Sequence, residues 1–314
     1  MRGKRFALAT IVTGICVFAG ALTAGCSGGQ QGASPSSATS VPSSPSETKA
    51  TNASPTATSD ATHAPAGKIP KTYDPKNFGR TVTDINEWVP LVPGLQSVSE
   101  GTVYVGDRLL PHIRVTTVTD VTKEIDGVRA VLVLDQDFDG GQLSEQSIDF
   151  LAEDDGGNVW YMGSYTEAYE GGQFLNAEDA WLADVNGAVP GLWMPGAPEA
   201  GTPAFYQVQI PGGEQSSAQV VDVGRKTCVP FKCYTDVVVI EEAGSENKYW
   251  ASGVGQILTE PLSGAAQEVE ELVNLRQLNS KALAELSKEA LKLDRGAALR
   301  VATVFGGSEP AERL

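Results

Sequence analysis

Histidine is scarce in this chain: two occur in 314 residues, His63 and His112. His63 lies in a Ser/Thr/Pro-rich stretch, so a Ser/His/Asp triad would rest on His112 alone, beside Pro111 in a strand context. Cysteine is almost as rare, with four in all. Once Cys16 and Cys26 are assigned to the N-terminal signal, Cys228 and Cys233 are too few for a zinc ligand set. No Gly-x-Ser-x-Gly elbow and no P-loop occur between Lys71 and Leu314. Gly253-Val254-Gly255 lacks the third glycine of a dinucleotide loop and runs into the strand-like Gln256-Ile257-Leu258-Thr259. Cationic side chains are also few, 23 Lys and Arg against 39 Asp and Glu, a formal charge of −16. Phosphate binding needs a cationic surface, so nucleic acid is excluded as a partner. Past the N-terminus there is no long apolar run, and a second membrane element is not expected.

What is present begins with an address. Arg2, Lys4 and Arg5 precede an apolar stretch, Phe6 to Ala21, shorter than the about 20 residues of a spanning helix. Leu22-Thr23-Ala24-Gly25-Cys26 then resembles a lipobox. Residues 1–25 are expected to be a signal peptide removed after Gly25, leaving Cys26 acylated at the new N-terminus. Two or three acyl chains, each buried methylene contributing about 0.8 kcal/mol, give durable anchoring. The expected location is the cell membrane, facing the extracytoplasmic side. Cleavage removes three cations and no acids, which takes the charge from −16 to −19.

From Ser27 to about Pro70 the chain is almost wholly Ser, Thr, Ala, Pro, Gly and Gln. It has too little apolar surface to offset its ordering entropy and reads as a disordered tether over 26–70. Such a tether would span roughly 35 Å root-mean-square.

Residues 71–300 read as one mainly β domain, an antiparallel curved sheet or barrel with one C-terminal helix, followed by a frayed tail at 301–314. β-branched or alternating runs recur at 96–105, 113–121, 128–134, 145–153, 159–165, 204–210, 218–223, 234–242 and 256–259. Between them Asp126-Gly127, Asp139-Gly140, Asp155-Gly156-Gly157 and Glu170-Gly171-Gly172 supply hairpin turns. Near the end, Asn279 or Ser280 can cap a helix whose Leu283, Leu286, Ala290, Leu293 and Ala297 form an apolar stripe.

Cys228 and Cys233 are expected to form a disulfide outside the cytoplasm, closing a tight turn between two strands. Asp135, Asp137 and Asp139, followed by Gly140, match the first half of a calcium loop. The twelfth position is Gln146 rather than Glu, and a strand precedes the motif where a calcium loop has a helix. The competing reading is a strand end with three solvated carboxylates. The aromatic residues Trp160, Trp181, Trp193, Tyr249 and Trp250 are candidates for lining a ligand groove, with Trp160, Tyr249 and Trp250 foremost, as well as for core anchors.

Asp137 to Leu143, Phe150 to Gly163, Glu170-Gly171-Gly172, Pro190-Gly191-Leu192, Cys228 to Phe231 and Lys248 to Gly255 together resemble an uncharacterised family of bacterial secreted proteins and lipoproteins. Trp88 to Gly94 resembles the usual start of that family, and the likeness runs over about residues 74–275. The resemblance implies no activity, substrate or cofactor. Ser164 stands where it implies an acidic residue, and the stretch around Gly212 to Ser216 is less acidic than it implies.

The sequence thus points to a lipid-anchored, non-catalytic binding or envelope-associated module with a glycan, lipid or protein ligand. Two alternatives stay open. One is a hydrolase of envelope glycans using carboxylates such as Glu145, Asp149 and Glu153, though these also suit a solvated strand face. The other is a calcium-dependent binding protein.

Overall fold

The computed structural model describes residues 72–79, 86–262 and 269–314. The signal segment, Cys26 and the tether lie outside the described residues. The strands in chain order are β1 (Leu95–Val105), β2 (Arg108–Ile125), β3 (Val128–Asp139), β4 (Gln142–Glu153) and β5 (Val159–Glu170). There follow β6 (Gln173–Asn176), β7 (Ala180–Leu182), β8 (Val189–Met194), β9 (Phe205–Gln209) and β10 (Gln215–Cys228). The last five are β11 (Cys233–Glu242), β12 (Glu246–Ala251), β13 (Gly255–Pro261), β14 (Val269–Gln277) and β15 (Glu312–Arg313). Two helices, α1 (Ser280–Arg300) and α2 (Ala302–Phe305), lie between β14 and β15.

Twelve of these strands close into an antiparallel barrel, in the order β1-β14-β13-β12-β11-β10-β9-β8-β5-β4-β3-β2, with β2 pairing back to β1. Closure removes sheet edges, which would otherwise template pairing with other chains. The short β6 and β7 pair with the upper part of β5, and β15 pairs with β2. The hairpins use the turns that the sequence supplies. Between β2 and β3, Asp126 and Gly127 both adopt positive φ, 50° and 73°, the requirement of a tight two-residue turn.

A strand in a barrel has an inner and an outer face, and here much of the outer face is also covered. On β3 to β5 the outward Leu132, Leu134, Ile148, Phe150 and Tyr165 are fully buried. They share a core with Ala290, Leu293 and Ala297 of α1 and Phe305 of α2. The Phe305 ring lies 6.1 Å from Phe150 and 5.7 Å from Tyr165. The Asn279 side chain caps α1 by accepting from the Ala282 N–H at 3.0 Å. The helix therefore packs its apolar stripe on the outside of the barrel wall.

The tail is docked rather than frayed. Lys123 on β2 and Asp294 on α1 form a buried ion pair at 2.8 Å, and Asp294 also accepts the Ala311 N–H at 2.9 Å. Beyond them β15 runs antiparallel to β2, and the Leu314 N–H donates to the Asp120 carbonyl at 2.8 Å. A two-residue strand carries too little pattern to be read from sequence.

The disulfide joins Cys228 to Cys233 at the facing ends of β10 and β11. The turn it closes folds back on the barrel, where the Phe231 N–H donates to the Leu272 carbonyl at 3.0 Å. Beneath it lies a second apolar cluster containing Val229, Tyr234, Val237, Tyr249, Ile257 and Leu272.

Candidate functional site

The barrel encloses a cavity of about 130 Å³. Its walls follow from a period of two along the strands. Ser99, Arg114, Asp137 and Glu145 lie in one cross-strand row of β1 to β4, and Ser97, Thr116, Asp135 and Ser147 form the next. Val118, Val133 and Asp149 follow. From the far wall Trp193, Lys248 and Trp250 face the same space, and Glu270 joins them from β14 beside β1. At one end it becomes apolar, against Val89, Pro90, Leu91, Leu95 and Leu275. The segment carrying Val89 to Leu91 is pinned by the Asn86 amide, which donates to the Gly157 carbonyl at 2.6 Å, and by the Glu87 carbonyl, which accepts the Gly253 N–H at 2.8 Å.

Charge in the lumen is heavily paired. Arg114 Nε lies 2.9 Å from Asp137 Oδ1, and its Nη1 lies 3.0 Å from Glu270 Oε1. His112 Nδ1 is 2.8 Å from Asp139, and its Nε2 is 3.5 Å from both Asp137 and Glu270. Burial opposes a charge on this ring, but hydrogen bonding of its N–H groups to the Asp137, Asp139 and Glu270 carboxylates outweighs it and raises its pKa to about 12. The ring is therefore a fixed imidazolium at neutral pH and cannot accept a proton as a triad base. Burial also opposes ionisation of Asp137, yet Arg114 and His112 hold its carboxyl below the usual range. Across the lumen Lys248 Nζ sits 2.7 Å from Glu242 and 3.4 Å from Glu246. Glu242 in turn accepts from the Gln207 amide at 2.9 Å.

Two carboxyls behave differently. Burial, joined by the charge of Asp149, pushes Asp135 up to about 7. Asp135 Oδ1 is buried with no hydrogen-bond partner among the described residues. Asp149 is raised by burial, against the hydrogen bonds it accepts from Tyr161 at 2.6 Å and Ser164 at 2.8 Å. Ser164, where the family resemblance implies an acid, thus supplies a donor to the buried carboxyl. The Trp250 indole N–H is likewise buried and without a partner among the described residues. The Trp250 ring stands edge-on to Trp193 at 6.3 Å.

The sequence candidates are distributed unevenly over this site. Asp135, Asp137 and Asp139 do not form a loop; they lie on β3, where successive alternate positions all turn inward, and Arg114 and His112 engage the second and third. Among the described residues no group of three or more His, Cys, Asp or Glu side chains is arranged to hold a metal. Trp160, Tyr249 and Trp250 do not share a groove. Tyr249 and Trp250 are neighbours on β12 and point to opposite faces, Tyr249 into the outer cluster, where its hydroxyl donates to Glu260. Trp160 also faces away from the lumen, its indole N–H held by Asp154 at 2.8 Å and its ring against Tyr73 at 5.6 Å. Of these three only Trp250 lines the cavity, where it is joined by Trp193. Glu145 and Asp149 face the lumen, not solvent, whereas Glu153 accepts the Asn86 N–H at 2.7 Å away from it.

Arg114, Lys248 and Glu270 are not among the residues that the sequence reading singles out as site residues. A signal exists for two of them, Arg114 and Lys248: a charged side chain among apolar neighbours on a strand marks an inner face with its own polar content. For Glu270 it was absent, because Val269 to Gln277 reads as acidic and leucine-rich without a clear alternation.

No family model matches the chain, and no curated protein does. Among solved structures, a protein of Bacteroides fragilis provisionally named as exported, with a YmcC-like fold, aligns at 13% identity and a TM-score of 0.34, over 61% of this chain and 99% of its own. A provisionally named lipoprotein of Parabacteroides distasonis aligns at 11% identity and a TM-score of 0.33, over 62% of this chain and 100% of its own. Among the described residues no helix is long and apolar enough to cross a membrane.

Proposed function

We propose that this protein is an extracytoplasmic binding protein, tethered to the membrane through acylated Cys26, whose barrel lumen captures a small polar molecule without transforming it. The observation that carries the reading is a cavity inside the barrel in which buried polar atoms, Asp135 Oδ1 and Trp250 Nε1, stand without partners among the described residues. Unpaired buried polar groups each cost about 1–3 kcal/mol, a cost that a complementary ligand removes. The volume suits a small molecule or on the order of ten waters. Of the three carboxylates that the hydrolase reading names, Glu153 faces away from the cavity, and His112 is held by carboxylates, so the hydrolase reading has less support.

Trp193 and Trp250 report on the site. The expected result is a saturable change in tryptophan emission when the full-length protein meets a small-molecule ligand, abolished by filling the lumen with Ser147→Phe. Emission unchanged by Ser147→Phe would place binding elsewhere. The anchor is tested separately: Cys26→Ala is expected to move the protein from the membrane to the soluble fraction, and retention in the membrane would refute lipid anchoring.

A further inference from the structure

We infer that the lumen ligand is a small organic amine carrying a compact apolar body and a hydroxyl or carbonyl acceptor, its ammonium placed on Asp135 and its acceptor on the Trp250 indole N–H. This rests on the binding function proposed above and names the chemical class of its ligand.

Charge comes first. Five carboxylates line the cavity against two cations, Arg114 and Lys248. Both cations are already engaged, Arg114 by Asp137 and Glu270, and Lys248 by Glu242 and Glu246. The His112 imidazolium also stands against Asp137 and Glu270, so an anionic ligand would find no uncommitted cation to receive it. A cation would find a receiving group in Asp135, whose Oδ1 has no partner among the described residues.

The second observation is independent of the acids. Trp250 is only 5% exposed, lines the cavity, and has a buried indole N–H without a partner among the described residues. An indole nitrogen donates and never accepts, so its missing partner must bring an acceptor lone pair, as a hydroxyl or carbonyl oxygen does. A simple alkylammonium has none, and neither does a metal ion. The third observation is the apolar end formed by Val89, Leu91, Leu95 and Leu275, which would cover a short hydrocarbon portion. Donor, acceptor and apolar patch together describe an amino alcohol or an amino-acid amide.

The test is calorimetric titration of the full-length protein with leucinol and three relatives of similar shape: isohexylamine, which lacks the hydroxyl; isohexanol, which lacks the amine; and isocaproate, which is an anion. Leucinol is expected to bind at least tenfold more tightly than isohexanol, and isocaproate not at all. Trp250→Phe, which removes only the indole N–H, is expected to weaken leucinol by threefold to tenfold and leave isohexylamine unchanged. Asp135→Asn is expected to abolish the preference for amine over alcohol. Preference for isohexanol or isocaproate over both amines would overturn the amine assignment while leaving a binding lumen intact. Response to calcium chloride alone, with none to any organic probe, would replace the amine by a metal. Silence toward all of these, together with unchanged tryptophan emission, would remove the binding function as well.

Discussion

The Lys123 ammonium and the Asp294 carboxylate meet at 2.8 Å with side chains only 2% and 5% exposed, joining barrel wall to helix beneath the docked C-terminal tail. Lys123 also donates to the Glu309 carbonyl, so one pair organises β2, α1 and the segment leading to β15. Removing one partner leaves a buried charge uncompensated, a loss of about 3–5 kcal/mol. Asp294→Ala is therefore expected to destabilise the protein by that amount in urea unfolding and to speed amide exchange at Ala311. The double change Lys123→Met with Asp294→Leu is expected to recover most of the loss. A single variant within about 1 kcal/mol of wild type would show that the pair does not hold the tail.

Stability should be greatest on the acid side of neutrality. His112 keeps its proton to about 12 in the fold against 6.5 for an unperturbed imidazole, so its contribution is complete below pH 6.5 and fades as pH rises toward 12. Asp135, raised from 3.8 to about 7, acts in the same direction: the folded form retains a proton that the unfolded chain gives up. Asp137, held low, opposes them only in acid, where its contribution is lost. Thermal unfolding at constant ionic strength is expected to peak near about pH 5 and decline steadily to pH 9. A peak above pH 8 would contradict the buried imidazolium.

Reduction of Cys228–Cys233 is expected to cost roughly 2 kcal/mol, the loop-closure value for so short a ring. The loss should be local. Hydrogen exchange should quicken at Phe231, whose N–H bonds the Leu272 carbonyl, and stay slow on β3 and β4. Equal quickening across the barrel would mean that the disulfide supports the whole fold.

Gly191 on β8 lies so close to β9 that a Cβ there would fall 1.8 Å from the Gln207 carbonyl oxygen. No rotamer relieves a clash with backbone, so the strands would have to part. Gly191→Ala is expected to destabilise by about 3 kcal/mol in denaturant titration. A neutral result would require β8 and β9 to be spaced more widely than described.

Alternation along the strands, the Gly-containing turns and the Asn279-capped helix make the β architecture legible in the sequence. Inner and outer faces were not. Period two says that the two sides of a strand differ; it does not say which side meets water. Glu145, Ser147 and Asp149 have the same spacing on a solvated strand as in a charged lumen. What decides between them is the opposite face, where Ile148 and Phe150 lie beneath the helices. The grouping of Tyr249 with Trp250 shows the converse, since adjacent strand residues cannot line one wall. The strand Val189–Met194 was hidden by Pro190 and Gly191, which weaken a strand reading, and Glu246–Ala251 was seen only as a motif.

The seam of the barrel sets an order of events. β1 pairs with β2 beside it but also with β14, Leu95 lying opposite Gln277. The strands β1 to β5 can assemble as a meander as soon as they are made, yet the first of them keeps a bare edge until almost the last part of the chain arrives. Only then can α1 and the tail wrap the wall. The nascent protein therefore passes through an open sheet with an unpaired margin, and its folding should be slow and accompanied by a period of vulnerability to self-association that the finished molecule no longer has.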